Sequence, residues 1–469
     1  MALINRARLL LSLFILSPVF AAEPVPEPVV EQALIAYIGP SGSQHSQLLM
    51  TPASTLKLLT ATAATKVLGS DFRFTTQLSY QNQQVHLHMS GDPSFSSEAL
   101  GSLLRQYRDS SGKQIKRFLI ETGRYQGHTR ARGQLWNDMG MCFASPVSSL
   151  TIDGNCIDGS VTPAAVGQPA RLKSGDAGVV NLVGEVMTVA SEQRDCEVNL
   201  HIEPDNRYRL SGCRNVDKGV LPLRFSINDE RAYFVTKLQR QLRALGMSVG
   251  SVEFVDSLPV LTHTVTHHSE PLPVLLEEVL QDSNNLYADA LFRQLANQQG
   301  RTSTYTAAAD VMKTSLAELG LPTERLVIRD GSGLSRENLV SADFLVALLQ
   351  TWQHDSELQP LIALLPVSGE SGTLKYRRSV RYEPLKSAIY AKSGYVDGVI
   401  NLAGFIKVGD HMLPFAHLSN GVALSRELRD DVRARRVVHP ILQQERRWLE
   451  KQLSYNSELA ASSNKSNLD

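Results

Sequence analysis

The sequence predicts an α/β (α+β) protein in which a helix-rich unit is interrupted by a β-rich insert. Two observations lead there. Helical periodicity marks residues 51–69 and returns from Pro271 onward, whereas residues 76–262 alternate in short strands separated by Gly, Asn and Asp turns. All four cysteines, Cys142, Cys156, Cys196 and Cys213, also fall inside that middle stretch. The pieces on either side, 23–75 and 263–455, must then fold together as one discontinuous unit.

Taken in order, the start "MALINRARLLLSLFILSPVFAAEPVPEP" sets Arg6 and Arg8 before a short apolar run that ends in small residues. That pattern reads as a secretory leader over residues 1–22, cleaved after Ala21 or Ala22. No later segment approaches the ~18 uninterrupted apolar residues of a membrane helix. "ALIAYIG" reads as a strand. In "TPASTLKLLTATAATKVLG" Thr51 is a candidate N-cap, Pro52 suits the first helical position, Leu56, Leu59 and Ala63 share a face, and Gly69 ends the helix. In the insert, strands such as "QVHLHMSGD", "RFLIETG" and "EVNLHIEP" carry the cysteines, whose confinement to one stretch of an exported chain predicts disulfides. Three pairings are open; Cys142–Cys156 and Cys196–Cys213 are favoured because each short loop encloses a turn-rich segment. Zinc is not expected, since no Cys-x-x-Cys occurs and no histidine is interleaved with the cysteines. Helices return in "PLPVLLEEVLQDSNNLYADALFRQLANQQG", "YTAAADVMKTSLAELGL" and "SADFLVALLQTWQHD", and "VINLAGFIKVGDHMLPFAHLSN" reads as a strand pair. "RELRDDVRARRVVHPILQQERRWLEKQL" is a basic amphipathic helix whose charges form a solvated face, with a weak membrane-surface contact left open. Residues 456–469 read as a disordered tail. Lys plus Arg and Asp plus Glu each number 47, so nothing electrostatic suggests nucleic acid.

Chemistry enters at Ser54 and Lys57. A spacing of three puts both on one helix face, and the surrounding leucines and alanines desolvate the lysine, which favours a neutral amine able to take the serine proton. The alternative is a lysine that snorkels to solvent. Ser110-x-x-Lys113 and Ser462-x-x-Lys465 repeat the spacing, but in polar turns and tail. Ser283 and Asn285 in "QDSNNLYADAL" offer a relay hydroxyl and an amide that donates and accepts, although Ser283 would also serve as a helix N-cap. Lys392, Ser393 and Gly394 open a strand in "YAKSGYVDG", and glycine there lets a ligand backbone approach. Lys173-Ser174-Gly175 is a decoy inside the insert.

In the order Ser-x-x-Lys, Ser-x-Asn, Lys-Ser-Gly, the three motifs resemble those of the penicillin-interacting serine acyl-transferases. The long stretch between the first two is similar to that of the class C low-molecular-mass penicillin-binding proteins, D-alanyl-D-alanine carboxypeptidases/endopeptidases of the peptidase S13 type. "WNDMGMCFASP", "DGSGLSR" and "SGESGTLKYR" extend the resemblance over most of the mature chain; Ser393 stands where threonine is commoner. The resemblance implies a penicillin-binding/β-lactamase-like catalytic domain, a periplasmic location, peptidoglycan peptides and β-lactams as partners, and no cofactor or metal. It implies Ser54 as nucleophile, Lys57 as its base, Ser283 as proton relay to the leaving amine, and the N–H groups of Ser54 and Tyr395 as oxyanion donors. Asn285 would steady the substrate amide, and Lys392 and Ser393 would take the terminal carboxylate. A diaminopimelate side chain ends in an ammonium and a carboxylate, so Asp138 and Arg336 are expected to bind these, with Phe143 on the aliphatic chain and Asp397 adding negative charge.

The competing classes are weaker. A metallohydrolase would rest on His263, His267 and His268, which lack a His-Glu-x-x-His helix, and "SGESGT" falls one residue short of an α/β-hydrolase elbow. A catalytically inactive wall-binding module of the same fold and a β-lactamase-like hydrolase are the remaining alternatives.

Overall fold

The computed structural model describes residues 33–466, so the leader expected at 1–22 lies outside them. A five-stranded antiparallel sheet carries the site, in the order Ile389–Val396, Val399–Val408, His411–Asn420, Leu34–Gly39, Gly42–Gln44. Leu34–Gly39 pairs with His411–Asn420, Ala36 opposite Leu418, so the first described strand docks on the last. "VINLAGFIKV" is buried along nearly its whole length because both faces are covered. Period-two alternation sends Ala403 and Phe405 into the helical core and Leu402 and Ile406 into a smaller core with Trp448 and Leu449 of helix Pro440–Ser466.

The helical core gathers Lys57–Leu68, Leu272–Leu280, Asn285–Gln298, Tyr305–Glu318 and Ala342–His354 around residues such as Leu59, Leu276, Leu291, Met312 and Leu348. Nine of the twelve residues of Lys57–Leu68 are buried, which makes it a central helix rather than a surface one. Its start departs from expectation. Thr51 does not cap it; Ala53–Leu56 forms a 3-10 turn after Pro52, and the α-helix begins at Lys57.

The middle of the chain builds a second core around Leu87, Phe118, Tyr208 and Phe234. Its five-stranded sheet runs Ser248–Val255, Gln114–Glu121, Gln84–His88, Thr75–Gln81, His263–His268. The expected boundaries at 75/76 and 262/263 therefore cut through paired strands: His263–His268 lies antiparallel on Thr75–Gln81 with Val265 opposite Leu78, and Val265 packs on this core rather than on the helical one. The insert also holds two long helices that its strand-like texture hid, Ser97–Ser111 capped by Ser96 and Glu230–Ala244 capped by Asp229. At the other end, the single basic helix expected at 426–453 is two helices, Arg426–Arg433 and Pro440–Ser466, because proline has no N–H to continue the first. The backbone stays helical through Ser466, where a disordered tail was expected from 456; Leu459, Ala460 and Ala461 are good helix formers.

Both favoured disulfides are present, Cys142–Cys156 with Cα atoms 5.4 Å apart and Cys196–Cys213 with Cα atoms 5.2 Å apart. Loop closure assigns each about 2–4 kcal/mol of stability. Peptide mapping without reduction is expected to recover those two linked pairs; a Cys142 peptide linked to Cys196 or Cys213 would refute the pairing.

Candidate active site

The turn bearing Ser54 is pinned to the sheet before it enters the helix. Asn401 Nδ2 donates to the carbonyls of Thr51 and Pro52, both at 2.9 Å, and Thr51 N–H donates to Asn420 Oδ1 at 2.8 Å. Thr55 Oγ1 donates to the Pro52 carbonyl at 2.7 Å. Ala53 sits at φ 48°, a left-handed conformation costing roughly 1–3 kcal/mol for a residue with a Cβ and held only because its surroundings over-determine it. Two glycines make this crowding possible. A Cβ on Gly333 would lie 1.9 Å from the Ala53 carbonyl oxygen, and one on Gly394 would lie 2.7 Å from that of Pro52.

Lys57 Nζ lies 2.9 Å from Ser54 Oγ, 2.6 Å from Asn285 Oδ1 and 2.6 Å from the Ser332 carbonyl. The lysine is fully buried, and burial pulls its pKa down to about 8 against the opposing pull of Asp289 and Asp330. A neutral amine has two N–H donors and one lone pair. Asn285 Oδ1 and the Ser332 carbonyl can only accept, so they take the two donors, and the lone pair is left facing the Ser54 hydroxyl.

Asn285 is the first residue of helix Asn285–Gln298, and its Nδ2 donates to the Phe143 carbonyl at 2.8 Å, which fixes the orientation of its amide. The N-cap of that helix is Asn284, which accepts from Tyr287 N–H; Ser283 stands outside the helix at φ 58°. Lys392 is buried in strand Ile389–Val396, and burial, then the charges of Lys57 and Arg377, hold its pKa well below the ordinary lysine range. Ser393 Oγ donates to Thr373 Oγ1 at 2.8 Å. Tyr395 is exposed on the same strand. The decoys lie elsewhere: Ser110 bonds Tyr80 OH in the insert, and Lys173 is exposed on strand Arg171–Ser174.

The expected side-chain residues share one rim. Arg336 N–H donates to the Gly133 carbonyl and its Nη1 to the Asp397 carbonyl, at 2.9 and 2.6 Å. Burial pushes the Asp138 carboxyl up while the neighbouring Arg336 opposes the rise. Phe143 is half exposed, with its carbonyl on Asn285. The disulfide at Cys142 holds this loop over the second motif.

Sequence reasoning missed a pair of buried carboxylates behind Lys57. Asp289 Oδ1 accepts from Gly331 N–H at 2.7 Å and Ser332 N–H at 2.8 Å, and burial, then Asp330, pushes its carboxyl up to about 8. Asp330 accepts from Gly333 N–H, Ser335 N–H and Asn338 Nδ2 at 2.9, 2.7 and 2.7 Å. The "DGSGLS" turn is thus wrapped around two carboxylates so that its Ser332 carbonyl points at Lys57. The one available signal was spacing: Asp289 is four residues after Asn285 and shares its helix face.

Comparison with known proteins places this arrangement. The family model described as D-Ala-D-Ala carboxypeptidase 3 (S13) matches residues 40–439. The D-alanyl-D-alanine carboxypeptidase DacB of Haemophilus influenzae is 30% identical over 378 residues, 77% of this chain and 78% of that protein. A D-alanyl-D-alanine carboxypeptidase of Actinomadura is 28% identical over 79% of this chain and 73% of its own length. The crystal structure of penicillin binding protein 4 (dacB) from Haemophilus influenzae superposes with a TM-score of 0.80 at 28% identity, covering 89% of this chain and 96% of that one. Its complex with a novel β-lactam gives 0.76 at 26% identity, over 91% and 98% of the two chains. The fold is the α+β fold of that penicillin-binding protein, and the chain belongs to the D-Ala-D-Ala carboxypeptidase 3 (S13) family.

Proposed function

We propose that the protein is a serine D-alanyl-D-alanine carboxypeptidase and endopeptidase that works on peptidoglycan stem peptides and cross-links through an acyl-Ser54 intermediate. The observation that carries this reading is the buried Lys57 amine, 2.9 Å from Ser54 Oγ with its two other partners both acceptors. As Oγ attacks the carbonyl of the penultimate D-alanine, Lys57 takes its proton and the N–H groups of Ser54 and Tyr395 receive the oxyanion. The C–N bond then breaks, Ser283 passes a proton to the departing amine, and water hydrolyses the Ser54 ester. Removal of a terminal D-alanine and cutting of a D-alanyl-diaminopimelate cross-link share this acyl donor and differ only in the leaving amine. Lys392, desolvated and held down by Lys57, gains its missing counter-charge from the substrate's terminal carboxylate, which also meets Ser393 Oγ.

A β-lactam follows the same path and stalls as the Ser54 ester. Intact-mass analysis after incubation with benzylpenicillin is expected to show one covalent adduct, on the peptide containing Ser54; an unmodified protein would overturn the reading. Two disulfides and a leader-like start support an exported, periplasmic enzyme, and no helix among the described residues is long and apolar enough to cross a membrane.

The rim supplies the substrate's side-chain contacts: Arg336 for the distal carboxylate of diaminopimelate, Asp138 for its ammonium, Phe143 for the chain between them. A hydrogen bond to a charged group is worth about 1.5–3 kcal/mol, so Arg336→Ala is expected to lower kcat/KM for a diaminopimelate peptide about ten- to a hundred-fold. Penicillin acylation, which makes no such contact, is expected to change little. Wild-type cleavage by that variant would move the side-chain site elsewhere.

A further inference from the structure

The strand Ile389–Val396 lies at the edge of its sheet. Its first half is covered, since Tyr390 bridges Val367 and Ala391 N–H donates to the Pro366 carbonyl. From Ser393 onward the edge is open to an added peptide strand. On the peptidase reading, the terminal carboxylate sits at Ser393 and the scissile carbonyl at the Tyr395 N–H. Each preceding residue of an antiparallel peptide then advances about 3.3 Å toward Asp397. Diaminopimelate falls at Asp397, beside Arg336. The γ-linked D-glutamyl residue before it emerges past Gly398, with its α-carboxylate free because the peptide bond uses the side chain.

What waits there is a cavity of about 300 Å³ between the hairpin tip at Tyr395–Ile400 and helix Arg426–Arg433, lined by Tyr395, Asp397, Val422, Val432, Arg429 and Arg433. The helix buries none of its residues, so its side chains are not committed to packing. Among the described residues the Arg433 guanidinium has no hydrogen-bond or ion-pair partner, and that of Arg429 reaches only the Leu424 carbonyl at 3.4 Å. Against these two cations the cavity sets Asp397. The same arginines also line a cleft of about 710 Å³ against the Cys196–Cys213 hairpin, where Arg194, Lys218 and Arg426 outweigh Asp195 and Glu197, with Asp430 on the helix itself. The surface beyond Asp397 is therefore net positive and continuous with the catalytic strand.

We propose that the groove from Asp397 to Arg429 and Arg433 binds the amino-terminal half of the donor stem peptide, the two guanidiniums taking the α-carboxylate of its γ-D-glutamyl residue. This rests on the peptidase reading above. The insert, through its disulfide-bearing hairpin, forms the far wall of the same positive surface.

The test uses two soluble pentapeptides, L-Ala-γ-D-Glu-diaminopimelyl-D-Ala-D-Ala and its analogue with the glutamyl α-carboxylate converted to a carboxamide. Wild type is expected to prefer the carboxylate form by about five- to twenty-fold in kcat/KM, chiefly through KM, as suits an exposed charge pair. Arg429→Ala/Arg433→Ala is expected to lose that preference while cleaving the carboxamide as wild type does and reacting with penicillin at the wild-type rate. If wild type cleaves both peptides equally, or the double variant keeps the preference, the groove is not this site. If wild type cleaves neither and takes no penicillin, the peptidase reading falls and this one with it. Should the double variant fail to label, the single Arg433→Gln variant carries the same comparison.

Discussion

Ser54→Ala is expected to abolish both peptide cleavage and covalent penicillin labelling, and Lys57→Ala is expected to lose acylation almost as fully, by about 10⁴-fold or more, while remaining folded. The two groups act as one unit: without the amine the hydroxyl keeps its proton, and without the hydroxyl the amine has nothing to activate. The double variant is therefore expected to be little worse than either single one. Lys57→Ala also frees Asn285 Oδ1 and the Ser332 carbonyl of a buried donor, so its thermal midpoint is expected to fall modestly. Lys113→Ala and Lys173→Ala serve as controls and are expected to label normally. A labelled Ser54→Ala protein would sink the assignment outright.

The second large effect is expected at Asp289, and two substitutions separate its two contributions. Asp289→Ala removes the acceptor of the Gly331 and Ser332 N–H groups, both in a buried turn, so the Ser332 carbonyl drifts from Lys57 and acylation is expected to drop about a hundred-fold or more. Asp289→Asn keeps an acceptor oxygen and deletes only the charge. The base must be neutral to act, so wild-type acylation is expected to rise with pH as Lys57 loses its proton near its pKa of about 8. Asp289 raises that pKa; without its charge the amine is neutral at lower pH, and the rising limb is expected to shift to lower pH in Asp289→Asn. Penicillin acylation rates measured across pH decide it. A limb that stays put, with only its height changed, would make Asp289 a purely structural anchor.

The three motifs were legible because each depends on local spacing, and the desolvation of Lys57 was legible because leucines and alanines flank it in sequence. The cysteine pairs were legible for a similar reason, each closing a short loop. What could not be read was set by partners far along the chain. Thr51 looks like a helix cap until its amide and carbonyl are taken by Asn420 and Asn401, 369 and 350 positions away, which tightens the next residues into a 3-10 turn. Asp289 acts through backbone N–H groups 42 and 43 positions later, and backbone groups carry no residue identity to recognise. The strand His263–His268 has little apolar content, and only its pairing with Thr75–Gln81 assigns it to the insert. The helices Ser97–Ser111 and Glu230–Ala244 were hidden by polar surfaces, although Leu100, Leu103, Leu104 and Tyr107 do recur at helical spacing.

The docking of Leu34–Gly39 on His411–Asn420 has a bearing on how the enzyme comes into being. A chain delivered amino terminus first presents its nucleophile early, yet Ser54 has no site to belong to: Asn285 and Ser332 arrive long afterward, and the asparagine that clamps Thr51 is residue 420. The middle segment holds its own core and two disulfides, so it can mature while the ends wait. Reactivity is thus withheld until the strand ending at Asn420 is in place. A partly delivered chain carries an inert serine, and the wall is exposed to the enzyme only when nearly the whole polypeptide has arrived.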